Sequence, residues 1–234
     1  MLRKLAVIPS RGGSKRIPGK NIKDLCGIPL IHYSIEHAVE SACFDRVIVT
    51  TDCPRIAKVA EAGGAEIPFL RPPELAGDDV GSYEVLNHIV ETIWTDLEDY
   101  LICVLQPTSP IRDTQKIIEM TELMDRKSDF SSVVSVCEVP HQYSIVSQFA
   151  MDDEGIIERF EQAQILRSQD KPRRFARNGP SVIVTRKSTV VGGSIYGKTS
   201  CGVLMEGKYN LDIDTQSDFK LVEAVIRGQI VDDG

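Results

Sequence analysis

A cationic, glycine-rich stretch follows the first apolar segment of the chain. Residues 10–21 contain three glycines and four basic side chains, namely Arg11, Gly12, Gly13, Lys15, Arg16, Gly19 and Lys20. Glycine lets the backbone turn tightly with its N–H groups directed inward, and Arg and Lys supply the charge that phosphate groups attract. A loop of this length inside a compact domain is uncommon without a function. We therefore expect this segment, the glycine–lysine loop, to hold phosphates rather than to be a merely solvated connection.

The loop differs from two familiar nucleotide-binding motifs. Five residues separate Gly13 from Gly19, and Lys20 is followed by Asn21, so the spacing of a Walker A loop is not met. The pattern G-x-G-x-x-G is also missing, which argues against a dinucleotide cofactor.

Two carboxylates near the end of the chain are candidates for a metal site. Asp212 and Asp214 lie two residues apart in a segment expected to be extended, so their side chains should share one face while Ile213 turns toward the core. Mg²⁺ prefers one or two carboxylates together with phosphate oxygens and water. The spacing alone is more typical of polar strand ends or of helix capping than of a metal site, and Thr215 is well placed to cap a following helix.

Apolar periodicity predicts strands that alternate with helices. The strands are expected at 5–8, 46–50, 67–70, 100–105, 132–136 and 182–185, and the helices at 31–42, 54–62, 83–94, 114–124 and 217–226. This order predicts a single α/β domain over residues 1–234, with a mainly parallel sheet and helices on both faces. Ligands bind such sheets at the carboxyl ends of the strands, where Gln106 follows strand 100–105.

Composition excludes several classes of function. The net charge of -7 argues against nucleic-acid binding, and the apolar run before Pro9 is too short for a signal peptide or a membrane span. Six cysteines without any C-x-x-C pair are typical of reduced thiols, and four histidines show no ligand spacing. We expect a cytoplasmic protein without membrane or nucleic-acid partners.

Several separated motifs resemble one known family in the same order. They lie at 8–22, 43–52, 70–76, 105–112 and 212–215. Together they are similar to the acylneuraminate cytidylyltransferases, which are the CMP-sialic acid synthetases and the bacterial enzymes that activate legionaminic and pseudaminic acids. The resemblance implies a Rossmann-like nucleotide-diphospho-sugar transferase fold, a homodimer, Mg²⁺ as cofactor, and CTP and an acidic nine-carbon sugar as substrates.

The resemblance also implies roles for individual residues. Arg11, Lys20 and Asp214 would be catalytic, with Asp214 a candidate general base, and Asp212 and Asp214 would bind the metal. The residues implied for CTP are Arg11, Gly12, Gly13, Ser14, Lys15, Lys20, Asn21, Arg71 and Ser82.

The acceptor sugar is expected to meet Gln106 and a cation from a segment at 138–180. This segment breaks the sheet pattern and, by the resemblance, builds the dimer and reaches the neighbouring site. Its cations include Arg167 and Arg177, which are our candidates for the sugar carboxylate. Ser168 stands where the family has an arginine, so Arg167 is a candidate for that role.

Two alternative functions remain. One is a sugar nucleotidyltransferase of the deoxyoctulosonate type, and the other is a nucleotide-binding regulatory protein on the same fold that has lost catalysis. The glycine–lysine loop and the segment 106–110 argue against the first, and retention of Lys20, Asp212 and Asp214 argues against the second. No pairing of the Ser-His-Asp kind is apparent, so we expect direct in-line attack on the α-phosphate without a covalent enzyme intermediate.

Overall fold

The computed structural model of the protein describes residues 2–159, 167, 172–177 and 181–230. Within these ranges the chain forms eleven strands and six α-helices. In chain order these are β1 (Lys4–Pro9), β2 (Asp24–Leu25), β3 (Ile28–Pro29), α1 (Leu30–Glu40), β4 (Arg46–Thr50), α2 (Pro54–Ala62), α3 (Ser82–Thr92), β5 (Leu101–Leu105), α4 (Thr114–Arg126), β6 (Ser132–Glu138), β7 (Phe149–Met151), β8 (Ile157–Arg159), β9 (Phe175–Arg177), β10 (Val182–Arg186), α5 (Lys187–Val191), β11 (Ser200–Leu204) and α6 (Gln216–Ile226).

A seven-stranded sheet forms the centre of the described chain. Its order is β11-β6-β10-β5-β1-β4, with β9 paired to the end of β6. β1 is parallel to both β4 and β5, and β11 is parallel to β6. β10 is antiparallel to both of its neighbours, β5 and β6. The sheet is therefore mainly parallel, as the sequence predicted.

Alternate residues of β1 enter two different cores. Ala6 and Ile8 pack with the buried faces of α1, α2 and α4. Leu5 and Val7 point the other way and pack with α3 and α5. Because successive side chains of a strand face opposite sides, this continuous apolar run covers both faces of the sheet and requires helices on each.

A third apolar cluster connects distant parts of the chain beside the sheet. It joins Ile17 of the glycine–lysine loop to Ile213, which is fully buried, and to Phe219 of α6. The Thr215 hydroxyl accepts from the Asp218 backbone, and the Asp218 carboxylate accepts from the Thr215 N–H, which completes a capping box at the start of α6. The loop and the segment 212–214 are thus packed against each other.

Three features differ from the predicted elements. The predicted strand at 67–70 is replaced by two isolated bridges, one between Glu66 and Ile48 of β4 and one between Leu70 and Thr51, and Pro68 between them has no N–H for a continuous ladder. β10 runs antiparallel to both β5 and β6, whereas the alternation of strands and helices predicted a parallel strand. β11 and α5 were not predicted.

The segment 138–180 lies partly outside the described residues. Its described part contains the hairpin β7–β8, a separate two-stranded sheet whose residues are all exposed. Among the residues that the structure describes, none of the helices combines the length and apolar character needed to cross a bilayer.

Candidate active site

Two adjoining clefts open at the carboxyl end of the parallel strands. The larger has a volume of about 390 Å³ and the smaller about 170 Å³. Pro9, Arg11 and Gln106 line both, so the clefts share a wall made by the ends of β1 and β5. The larger is lined mainly by polar and charged side chains, namely Arg11, Ser14, Lys15, Arg16, Lys20, Asn21, Asp78, Gln106, Thr108 and Asp214.

Lys20 joins the glycine–lysine loop to the aspartate segment. Its Nζ donates to the Ile213 carbonyl at 2.8 Å and lies 3.7 Å from Asp214 Oδ1. The Lys20 side chain is only 14% exposed, whereas that of Asp214 is 61% exposed. Lys20 is therefore largely buried beside the cleft, while the Asp214 carboxylate is mostly exposed and also lies 3.8 Å from Arg16 Nη1.

Asp212 is oriented from the loop that follows β5. The Ser109 hydroxyl donates to Asp212 Oδ1 at 2.9 Å, and the Ile213 N–H donates to the Thr108 carbonyl at 2.7 Å. Asp212 does not line the larger cleft, although its neighbour Asp214 does.

Arg112 is a buried cation beneath this loop. Its guanidinium donates to the carbonyls of Gln106 and Ser181 and to the Ser34 hydroxyl. Burial lowers the pKa of Arg112 to about 9, partly offset by Cys103 and Asp212, so the group is still charged at neutral pH. Arg112 therefore fixes the backbone that presents Gln106 to both clefts.

The glycine–lysine loop is held by side chains from its own end and from the end of β4. The Asn21 amide donates to the Arg11 carbonyl at 3.1 Å, and the Gly12 N–H donates to Asp52 Oδ1 at 2.8 Å. A Cβ on Gly12 would lie 2.9 Å from the Cys53 Cβ, which is closer than real Cβ atoms approach. Gly19 has a φ of +64°, in the left-handed region that favours glycine.

Arg71 lies at the inner wall of the smaller cleft with donors that are not used. Arg71 is 5% exposed, and its Nε and Nη2 have no hydrogen-bond partner among the described residues. Burial lowers the pKa of Arg71, Asp52 opposes this shift, and Arg11 adds to it. A buried guanidinium edge of this kind is suited to a ligand that offers two acceptors.

The structure brings together most of the residues expected for the nucleotide. Arg11, Ser14, Lys15, Lys20 and Asn21 border the larger cleft, and Arg71 and Ser82 border the smaller one. Gly12 and Gly13 lie in the same loop but do not line either cleft, and the Gly12 N–H points to Asp52 rather than inward.

Of the residues expected for the acceptor sugar, only Gln106 borders a cleft. Arg177 lies on β9, where its guanidinium contacts the Tyr196 hydroxyl and ring. Arg167 is exposed, and neither arginine lines the two clefts. Ser168 and Asn178, on which the family pattern depends, lie outside the described residues.

Four residues whose side chains contact the site were not predicted from sequence. They lie in or beside motifs that carry the resemblance, namely Asp52, Asp78, Ser109 and Arg112. Their spacing along the chain does not match that of any catalytic or binding motif. An arginine seven residues after a buried strand gives no signal that it will fold back under the end of that strand.

The donors of the aspartate segment fit Mg²⁺ in chemical type. Carboxylate oxygens are hard ligands, and Asp214 borders the same cleft as Arg11, Lys15 and Lys20. Among the described residues, no group of three or more His, Cys, Asp or Glu side chains is placed to hold a metal by itself. A metal here would need phosphate oxygens and water as further ligands, which is the usual arrangement for Mg²⁺.

The fold is shared with two solved structures. The CMP:2-keto-3-deoxy-manno-octonic acid synthetase complexed with CTP superposes with a TM-score of 0.72 at 17% identity, over 97% of this chain and 100% of that one. The 4-diphosphocytidyl-2C-methyl-D-erythritol synthase of Anaerococcus prevotii gives 0.63 at 11% identity, over 97% and 99%. These two likenesses establish the fold that surrounds the clefts.

Sequence comparison then assigns the family. The cytidylyltransferase family model matches residues 5–231, and the chain belongs to that family. It is 35% identical to the N-acylneuraminate cytidylyltransferase of Escherichia coli O18:K1:H7, over 93% of this chain but only 50% of that protein, so it spans half the length of this relative. It is 33% identical to the CMP-N,N'-diacetyllegionaminic acid synthase of Legionella pneumophila, over 96% and 97% of the two chains. It is 30% identical to a pseudaminic acid cytidylyltransferase of Campylobacter jejuni, over 97% of each.

Proposed function

We propose that the protein transfers the cytidylyl group of CTP to a nonulosonic acid of the sialic, legionaminic or pseudaminic type, releasing pyrophosphate. The observation that supports this proposal is the 2.8 Å hydrogen bond from Lys20 Nζ to the Ile213 carbonyl, which joins the glycine–lysine loop to the segment that carries Asp212 and Asp214, with Asp214 bordering the larger cleft. The names of the relatives support the choice of nucleotide and acceptor.

The two clefts suit the two ends of CTP. The larger, with Lys15, Lys20 and Arg11, is suited to the triphosphate, since fixed cations stabilise charge spread over phosphate oxygens. The smaller, with its unpartnered Arg71 edge, is suited to the cytosine ring. Gln106 borders both, so an acceptor sugar beside it would lie near the α-phosphate.

In the proposed reaction the anomeric hydroxyl of the sugar attacks the α-phosphorus in line with the leaving group. A new phosphorus–oxygen bond forms to the sugar, the bond to the β-phosphate oxygen breaks, and pyrophosphate departs. The hydroxyl proton passes to a base, for which Asp214 is the candidate because its exposed carboxylate borders the cleft. Lys20 and Arg11 offset the charge on the phosphates.

Asp212 and Asp214 would hold Mg²⁺ together with the nucleotide. When bound, the metal supplies charge neutralisation at the phosphates. Ser109 orients Asp212 through its 2.9 Å hydrogen bond, and the capping box after Asp214 fixes the start of α6.

The proposal includes a homodimer built by the segment 138–180. Its described part exposes large apolar side chains, namely Tyr143, Phe149, Met151, Ile156, Ile157 and Phe175, of which Met151 is 71% exposed. Met151 and Ile157 are directly paired across β7 and β8, and neighbouring exposed apolar side chains favour a protein partner. We also propose the cytoplasmic location expected from the sequence, since all six cysteines are free thiols.

The function is tested by pyrophosphate release from CTP with a panel of sialic, legionaminic, pseudaminic and deoxyoctulosonic acids, with and without Mg²⁺. We expect Mg²⁺-dependent release with at least one nine-carbon acid. Release only with the deoxyoctulosonic acid would support the alternative transferase, and CTP binding without release from any acid would support a regulatory protein.

The aspartate assignment is tested with Asp212→Asn and Asp214→Asn. Each should lower kcat by about a hundredfold or more, because it removes charge that stabilises the transition state, while the unfolding temperature stays close to that of the wild type. Glu61→Gln, at the exposed far end of α2, is the matched loss of a carboxylate and should leave kcat unchanged. Near-normal turnover in both aspartate variants would refute the assignment.

A further inference from the structure

Two cations of the larger cleft share one carboxylate. Arg11 Nη1 lies 2.8 Å from Asp78 Oδ1 and also donates to the Gly77 carbonyl at 2.9 Å. Lys15 Nζ pairs with the second oxygen, Oδ2, of the same side chain. All three side chains line the cleft. Both oxygens of Asp78 are thus engaged by cations that we assign to the phosphates of CTP.

The negative charge of Asp78 opposes the binding of a phosphate beside it. The hydrogen bond from Lys15, together with the charges of Lys15 and Arg11, lowers the pKa of Asp78, so the carboxylate is ionised at neutral pH. Arg11 and Lys15 cannot direct the same N–H groups to Asp78 and to a phosphate. Any phosphate that binds them must either displace Asp78 or bind beside a like charge.

We propose that Asp78 is a competing counter-ion that sets the affinity of the cleft for CTP and for pyrophosphate. On binding, the phosphates replace Asp78 at Arg11 and Lys15, and the segment 72–81 that carries Asp78 loses its link to the glycine–lysine loop. After the reaction Asp78 recaptures the cations and favours release of pyrophosphate. This inference rests on the proposed function, since it requires that the cleft takes a triphosphate.

A purely structural role for Asp78 predicts the opposite result. If the carboxylate served to hold Arg11 and Lys15 in position for the phosphates, its removal would weaken phosphate binding. If it competes, its removal strengthens binding. The Asp78 side chain is 48% exposed, so Asp78→Asn changes its charge without disturbing the core.

The neighbouring residue provides a matched control. Asp79 is also exposed and forms no ion pair with the described residues, so Asp79→Asn removes the same charge one position away. Binding of CTP and of inorganic pyrophosphate to the full chain is measured by titration calorimetry for the wild type and both variants. We expect Asp78→Asn to bind both ligands about two- to fivefold more tightly, the upper part of the range for an exposed ion pair, and Asp79→Asn to bind them as the wild type does.

A double-mutant cycle tests whether the effect passes through Lys15. Lys15→Met should weaken pyrophosphate binding more in the Asp78→Asn background than in the wild type, because only there is Lys15 free of a competitor. Unchanged or weaker binding by Asp78→Asn, or equal tightening by Asp79→Asn, would overturn the inference while leaving the proposed function intact. A wild-type protein that binds no CTP would overturn both.

Discussion

Replacement of Arg71 by methionine should make the protein more stable and a poorer binder of CTP. Methionine matches the length of the arginine stem and suits a buried site. Arg71 is 5% exposed, and its Nε and Nη2 lack a partner among the described residues. A buried donor left in this state reduces stability by about 1–3 kcal/mol.

Two structural terms set the size of the gain. Removing the guanidinium removes the cost of burying a charged group, the same effect that lowers the pKa of Arg71. It also removes the favourable interaction between that charge and Asp52. We therefore expect the free energy of unfolding to rise by about 1–2 kcal/mol, which for a chain of this size raises Tm by about 2–8 °C. Loss of two charge-assisted hydrogen bonds should weaken CTP binding by about 3 kcal/mol or more, which is over a hundredfold.

The assay pairs calorimetric unfolding without ligand with titration of CTP. Arg71→Lys is the matched control, since it keeps the charge but lacks the planar fork, and it should lose affinity without gaining stability. If Arg71→Met instead had a free energy of unfolding more than about 1 kcal/mol below that of the wild type, the guanidinium would already have its hydrogen-bond partners in the protein without ligand. Wild-type CTP affinity in Arg71→Met would show that the smaller cleft does not hold the base.

Three further outcomes follow from contacts elsewhere in the site. Gly12→Ala should lower the free energy of unfolding by about 1–3 kcal/mol and weaken CTP binding, because its Cβ would lie 2.9 Å from the Cβ of Cys53. Gly13→Ala is the control, since a Cβ there has no atom within 4 Å. It should change neither quantity in the same unfolding and titration assays. Lys20→Met should weaken CTP binding by about 2 kcal/mol, about 30-fold, in titration calorimetry, and an unchanged affinity would remove Lys20 from the phosphate site. Burial and, to a lesser extent, the charge of Arg112 lower the pKa of His37 to about 4. Between pH 6.5 and 4, His37 is therefore protonated in the unfolded chain but neutral in the folded chain. Stability should therefore fall by about 2 kcal/mol from pH 7 to 4.5 in chemical unfolding, and an equal fall in His37→Gln would contradict this origin.

The regular elements were largely predictable because their signals are local. β4 and α2 have the predicted bounds, since a short β-branched run and a helical stripe each depend on neighbouring residues alone. The chemistry of the glycine–lysine loop was also readable, because glycine and cation content is a property of one continuous segment. Prediction failed where a partner distant in the chain decided the outcome. The stretch 67–70 contributes only the bridge from Leu70 to Thr51, and the direction of β10 is set by its antiparallel pairing with β5 and β6.

The sequence by itself determined the α/β alternation and, through its separated motifs, the family. Only the tertiary structure decided that Lys20 would meet Ile213, 193 residues away, that Arg112 would fold under Gln106, and that Asp78 would occupy Arg11 and Lys15. These contacts join segments whose separation along the chain carries no periodic signal. They form because buried apolar clusters such as Ile17, Ile213 and Phe219 bring those segments together, and the polar side chains then take the partners that packing leaves within reach.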